Sequence, residues 1–262
     1  MMPMILATWN VNSLKVRLPR VLEFLDTHRP DVLCIQETKA SADSFPHAEL
    51  KAAGYAAADH SSGRWAGVAI LAPADRPPTD IICGLPGEPH PDEARWIEAT
   101  VEVDSEPLHV ASVYVPNGRA LDHPAFVDKL AFLDAMAERA TALAGRSVFL
   151  AGDMNVAPAD LDVYDPAAFV NGTHTSEAER SRLQAILTCG LVDTFRYINP
   201  ETSQFTWWDY RAGHFHQNLG LRIDLGLLSP DLAKRCRHCG IDRAFRKGLK
   251  PSDHAPLLLE LE

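Results

Sequence analysis

The sequence predicts an α/β fold of mixed β-sheets with a functional site where the strands end, and three observations carry that prediction. Short apolar runs alternate with segments of helical periodicity, the pattern of strands connected through helices. Two β-rich runs are parted only by Asp104-Ser105-Glu106-Pro107, which reads as a hairpin and makes the sheets mixed rather than purely parallel. Apolar runs also end repeatedly in polar or charged groups: Asn10, Glu37, Tyr114, Asp153 with Asn155, and Asp253 with His254.

In chain order, residues 5–9 form a short apolar strand that opens into Asn10-Val11-Asn12-Ser13. Val16, Val21, Leu22 and Leu25 keep near-helical spacing until Arg29-Pro30 ends it, and the run 32–35, too short for most helices, ends in Gln36-Glu37-Thr38. A helix is expected over 44–53, with Phe45, Ala48 and Leu50 packing and Gly54 as its stop. Strands follow at 67–71, 95–103 and 108–115. Pro124 suits a first helical turn, and Phe126, Leu130, Leu133 and Ala137 mark one face of a long helix. The strand 147–151 leads into Gly152-Asp153-Met154-Asn155, and the Asp- and Pro-rich stretch 157–175 reads as a long surface loop. Ser176, with Glu179 three positions on, has the form of a capping box. The aromatic run 204–210 and the alternation 221–228 read as strands, and Asp224 sits inside the second, where a carboxylate is costly unless paired. A last strand follows Asp253-His254. With no repeat, low-complexity segment or linker, residues 1–262 are expected to form one domain.

The net charge of −10 argues against a protein that coats nucleic acid, because counterion release needs many cations at the phosphates. It leaves local contacts open, and Lys234 to Lys250 holds a basic segment in which Asp242 is the single acid. Five scattered cysteines do not make a secreted disulfide framework, and Cys236-Arg237-His238-Cys239 without a second ligand pair reads as structural. No basic residue precedes the run Met1 to Trp9, no cleavage site follows it, and no apolar stretch approaches the ~18 residues of a membrane span. A cytoplasmic protein with no membrane partner is expected.

Each polar tip alone is as readily a turn cap or a solvated end. Their ordered recurrence is more telling. The blocks Trp9-Asn10-Val11-Asn12, Ile35-Gln36-Glu37-Thr38-Lys39, Tyr114-Val115-Pro116-Asn117-Gly118, Gly152-Asp153-Met154-Asn155-Val156, Gly190-Leu191-Val192-Asp193-Thr194-Phe195, Gly220-Leu221-Arg222-Ile223-Asp224 and Ser252-Asp253-His254-Ala255-Pro256 are similar, in order and from end to end, to those of the exonuclease III family of abasic-site endonucleases, within the DNase I-like metal-dependent phosphodiesterases.

That resemblance implies a four-layer αββα sandwich of two mixed sheets flanked by helices, acting as a monomer on double-stranded DNA at abasic sites or 3′ ends, with Mg²⁺ or Mn²⁺. It implies a catalytic set of Tyr114, Asp153, Asn155, Asp224 and His254, and a metal shell of Glu37 with Asn10 and Asp253; Asp153 and Asn155 are the candidates for a second metal site. Glu37 leads as a hard carboxylate ligand. By the resemblance Asp153 aligns and deprotonates the attacking water, with His254 left open as the alternative base, Asn155 holds the phosphate or that water, Tyr114 stabilises an oxygen, and Asp224 orients His254 against the phosphate. Trp207, Leu221 and Ile223 match the lining of a pocket for a flipped-out baseless sugar, and Asn117, Arg119, Arg211 and Arg222 are substrate contacts. Two other readings stay open: a phosphatase of the same superfamily acting on lipid or inositol phosphates, and an inactive nucleic-acid-binding relative.

Overall fold

The structure is a computed structural model that describes residues 3–262, so the first two residues of the run 1–9 lie outside it. The first half of the chain comprises β1 (Met4–Asn10), α1 (Leu14–His28), β2 (Val32–Gln36), α2 (His47–Ala52), β3 (Tyr55–His60), β4 (Val68–Pro73), β5 (Thr79–Cys83), β6 (Trp96–Val103) and β7 (Glu106–Tyr114). After α3 (Pro124–Ala142) and β8 (Val148–Asp153) come α4 (Glu177–Thr188), β9 (Val192–Asp193), α5 (Thr194–Ile198) and α6 (His214–Gln217). β10 (Asp224–Leu228), α7 (Pro230–Arg235), β11 (Cys236–Ile241) and β12 (Leu257–Leu261) complete it.

Two six-stranded sheets result, ordered β11-β12-β1-β2-β4-β3 and β5-β6-β7-β8-β10-β9. Each has one parallel pair, β1 with β2 and β7 with β8, among antiparallel neighbours. Three separate apolar clusters show the layering. One, with Leu6, Val32 and Ile70 against Ile97, Val110 and Phe149, lies between the sheets. A second packs Val113 and Leu150 on Phe132, Met136 and Leu183 of α3 and α4, and a third packs Trp9, Leu33 and Ile35 on Val21, Phe24 and Leu25 of α1. Alternate residues of the same strands face the two sides, as the twofold strand period requires. Three apolar seams separate four layers, the αββα sandwich. Among the described residues no helix is long and apolar enough to cross a membrane.

Local chemistry accounts for most boundaries. The hairpin turn is Asp104-Ser105, both at positive φ (53° and 65°), the two-residue turn whose twist matches the strands. Ser176 and Glu179 form the capping box at the start of α4. Arg29 ends α1 in the left-handed region before Pro30. The expected helix over 44–53 is shorter, because Phe45, preceding Pro46, is held extended (ψ 132°); α2 starts at His47 and leaves Ala48 exposed. Val16 is also exposed. The aromatic run 204–210 is not a strand. Trp207 bridges Leu221 on one side and His254 on the other, so the segment is drawn between the two sheets and joins neither ladder. The loop 157–175 carries two short 3₁₀ turns and buries Asp162 and Val163. Cys236 and Cys239 are buried, unbridged thiols on β11, and burial pushes both up from the usual thiol range.

Candidate active site

Register brings the polar tips together. Tyr114 pairs with Asp153 across the parallel β7/β8 ladder, and Asp153 pairs with Asp224 across the antiparallel β8/β10 ladder, so the three stand in one row at the edge of one sheet. Asn10 and Gln36 pair at the matching edge of the other sheet, and Glu37 follows directly. His254 reaches the same edge just ahead of β12, where Trp9 Nε1 donates to its carbonyl at 3.2 Å and Ser252 Oγ donates to the Asn10 carbonyl at 2.7 Å. Close backbone approach needs a glycine behind the row. A Cβ on Gly152 (φ 151°) would lie 2.0 Å from the Val113 carbonyl oxygen. The tips themselves turn sharply: Asn12, Ser13, Glu37, Lys39 and Asn155, none of them glycine, all adopt positive φ, a concentration of backbone strain typical of functional sites.

At the centre, His254 Nδ1 donates to Asp224 Oδ2 at 2.8 Å, and its Nε2 lies 3.8 Å from Asp153 Oδ2. All three side chains are buried. Burial opposes the charged imidazole, but the carboxylates of Asp224 and Asp153 outweigh it and lift the His254 pKa to about 10. Burial likewise raises Asp153, to about 7, with His254 opposing and Asp224 and Glu37 adding. Asn10 Nδ2 bridges Glu37 Oε1 (2.8 Å) and Asp153 Oδ2 (2.9 Å), while Lys39 Nζ pairs with Glu37 Oε2 at 2.7 Å. Burial, with the Glu37 and Asp153 carboxylates nearby, keeps the Tyr114 hydroxyl protonated, a donor rather than a base.

Asn155 is fixed on every side. Its amide N donates to Asp153 Oδ1 at 2.9 Å, its Nδ2 to the Val115 carbonyl at 2.8 Å, and its Oδ1 accepts from Asn117 Nδ2 at 3.2 Å. Behind it Lys129 of α3, wholly buried, donates to the Asn155 carbonyl (2.7 Å), the Asn117 carbonyl (3.2 Å) and Glu179. This anchor was not expected from the sequence. Its signal was there, since Lys129 falls three residues after Phe126 and three before Phe132 on the buried stripe of α3.

Several expected contacts take other positions. Arg222 is wholly buried, paired with Asp162 (2.7 Å) and Asp193 (2.8 Å), so it cannot reach a phosphate; it ties the 157–175 loop to β9. Leu221 and Ile223 are buried with Ala157 and Val163, and Trp207 alone of that trio keeps exposed surface. Both Asp253 oxygens are taken, by Asn12 Nδ2 (2.9 Å) and Trp207 Nε1 (3.1 Å), which sets that carboxylate one step behind the row. Arg119 and Arg211 are exposed at the rim; Arg211 is folded onto Asp209.

One ligand atom each from Glu37, Asp153 and His254 lies within 4.8 Å of the others. With the imidazole charged and turned to Asp224, the oxygens left for a cation are those of Glu37 and Asp153. An acid whose pKa is raised by burial and then by two neighbouring carboxylates is a site short of positive charge, and hard oxygens suit a divalent cation. The residues therefore fit a metal held by Glu37 with Asp153, while Asn10 orients both.

Such an edge, with a buried acid, a charged imidazole braced by a second acid and a metal-competent glutamate, defines a phosphoester hydrolase on a DNase I-like sandwich. The chain belongs to the endonuclease/exonuclease/phosphatase family, whose model matches residues 7–254. It is 32 % identical to exodeoxyribonuclease III of Haemophilus influenzae, over 97 % of this chain and 98 % of that protein. It is 30 % identical to an exodeoxyribonuclease of Bacillus subtilis over the same shares. Among solved structures, a 3′ phosphatase from Neisseria bound to a product DNA hairpin superposes with TM-score 0.94 at 39 % identity, over 99 % of each chain. An AP endonuclease from Archaeoglobus fulgidus superposes with TM-score 0.92 at 36 %, again over 99 % of each. The protein is a hydrolytic nuclease.

Proposed function

We propose that this DNA repair nuclease removes 3′ nucleotides and 3′ phosphates from duplex DNA and incises the backbone 5′ to abasic sites, as one catalytic domain, a monomer, using Mg²⁺ or Mn²⁺. The observation that carries the reading is the Asp153, His254, Asp224 line, in which a buried base and a charged donor face one another across 3.8 Å. Asp153 takes a proton from water and holds it in line. His254, kept charged by Asp224, donates through Nε2 to a non-bridging oxygen. Tyr114, held protonated, donates a hydrogen bond to the oxygen that gathers charge, and Asn155 with Asn117 positions the phosphate. A divalent cation bound by Glu37 would supply charge for the phosphate and the departing oxygen. The relatives named as exodeoxyribonucleases, a 3′ phosphatase and an AP endonuclease support DNA over a lipid or inositol phosphate as substrate.

Abasic incision rests on Trp207, the member of the apolar trio with surface to offer a baseless sugar. The test uses two labelled duplexes, one with a single abasic site and one ending in a 3′ phosphate, with and without Mg²⁺. Release of phosphate and 3′ nucleotides without incision would remove the abasic half of the reading. Activity on neither duplex, with turnover of phosphoinositide, would overturn all of it.

A further inference from the structure

We propose that the cleft of about 310 Å³ between the 209–216 loop and the 246–251 segment is an anion site that holds a second phosphate group, apart from the one being hydrolysed. The inference rests on the DNA nuclease reading above. Its centre is Arg246, which lines the cleft and is only 6 % exposed. Among the described residues no carboxylate pairs with it; Nη2 donates to the Trp208 carbonyl at 3.2 Å and Nε has no partner. A buried guanidinium in that state is costly, and proteins meet the cost with an acid or an anionic ligand. Burial pulls the Arg246 pKa down against the opposing influence of Tyr210 and of the Asp253 carboxylate, which forms no ion pair with it. The acid in the lining, Asp209, is already engaged by Arg211 through both carboxylate oxygens.

The surroundings are built to hold that cation in place. Its guanidinium lies 5.0 Å from the ring centre of Tyr210 and 5.1 Å from that of Phe215, and Arg243 lies 5.2 Å from Phe215 on its own account. These aromatic faces fix the plane of the guanidinium without neutralising it. Lys247 and His216 stand exposed at the rim. On the far side of Tyr210, Arg17 donates to the tyrosine oxygen at 3.0 Å and to the Asn12 carbonyl at 2.6 Å, again with no acid partner among the described residues. Asn12 in turn donates to Asp253, so the cleft adjoins the catalytic edge. In a chain of net charge −10, a pocket with buried and exposed cations and no free acid selects an anion. A phosphate of the DNA backbone flanking the cleaved bond has the charge and the bidentate oxygens for it, as does the phosphate of a released mononucleotide.

Lys247→Glu, His216→Glu and Arg246→Gln test this, with Lys234→Glu on α7, at the opposite end of the sheet, as the control for net charge. Duplex affinity is measured by anisotropy in EDTA across a salt series, and melting is followed with and without inorganic phosphate and deoxynucleoside monophosphate. If the ligand is backbone phosphate, Lys247→Glu weakens binding ~10-fold at low salt, reduces the log–log salt slope by ~1 and raises KM with kcat unchanged, while Lys234→Glu does none of these. If the ligand is free phosphate, duplex affinity holds, but the phosphate-dependent rise in melting temperature seen in the wild type is lost in the variants. Where Arg246→Gln does not fold, the two rim variants decide. Cleft variants that match Lys234→Glu in every measurement overturn the site, and wild-type cleavage of the duplexes in the same series shows that the nuclease reading survives that result.

Discussion

Asp153→Asn should destroy activity and stabilise the fold. Burial, followed by the neighbouring charges, raises the Asp153 pKa from 3.8 to about 7. For an acid whose folded pKa is raised, ionisation is easier in the unfolded chain. The folded state therefore loses stability as pH climbs through 3.8, and the loss is complete above about 7. That rise corresponds to ~4 kcal/mol. Asparagine keeps an acceptor for the Asn155 amide but turns its NH₂ toward Asn10 Nδ2, which forfeits one hydrogen bond, ~1–2 kcal/mol. The net gain is ~2–3 kcal/mol, a melting temperature ~5–10 °C higher for a chain of this size. The assay is thermal unfolding of both proteins in EDTA from pH 4 to 9, beside cleavage in Mg²⁺, where the variant should be at least ~100-fold slower. Near pH 4, where only the forfeited hydrogen bond counts, the variant should melt slightly below the wild type; the difference should change sign as pH climbs and level above about 7. A variant that melts at or below the wild type at pH 8 would refute the account of a buried, under-compensated acid.

Three further outcomes follow from the same geometry. Asp224→Asn removes the acid that bonds His254, whose raised pKa contributes stability that is full below 6.5 and lost as pH rises toward 10; hydrolysis should fall ~100-fold or more and the alkaline limb of the kcat/KM profile should move to lower pH, an unmoved limb counting against the pairing. Chelation should abolish turnover and Mg²⁺ restore it, with Glu37→Gln needing far more Mg²⁺ than the wild type in a titration of rate against metal. Lys129→Met strands the buried Glu179 charge and should cost ~3–5 kcal/mol in denaturant unfolding, part of which the double variant with Glu179→Gln recovers.

What could be read from the sequence divides along physical lines. The hairpin, expected with a 104–107 connection and found with the tighter turn Asp104-Ser105, the capping box at Ser176 and the stop at Arg29 are local, set by turn and cap chemistry within a few residues, and were legible. The polar tips were legible as candidates because strand-end chemistry is local too. Their arrangement was not: that Tyr114, Asp153 and Asp224 share one row follows from register between strands up to 110 residues apart, which no window of sequence contains. The resemblance offered Arg222 as a substrate contact, and only tertiary pairing with Asp162 and Asp193, invisible in the sequence, shows that it is buried. β5 escaped notice because it is an exposed edge strand with no buried face to impose alternation, and β11 because its open positions carry Arg237 and His238.

The pairing of β1 with β12, Met4 opposite Leu261, bears on how the molecule assembles. The catalytic edge takes Asn10 from the first strand described and His254 from the residues just ahead of the last, joined by the Trp9 to His254 hydrogen bond across 245 positions. Contacts of such separation form late and slowly. During synthesis the strand that bears Asn10 must therefore wait beside an unfilled place in its sheet until β12 emerges, and that vacancy is where a nascent chain is most exposed to mispairing with another copy.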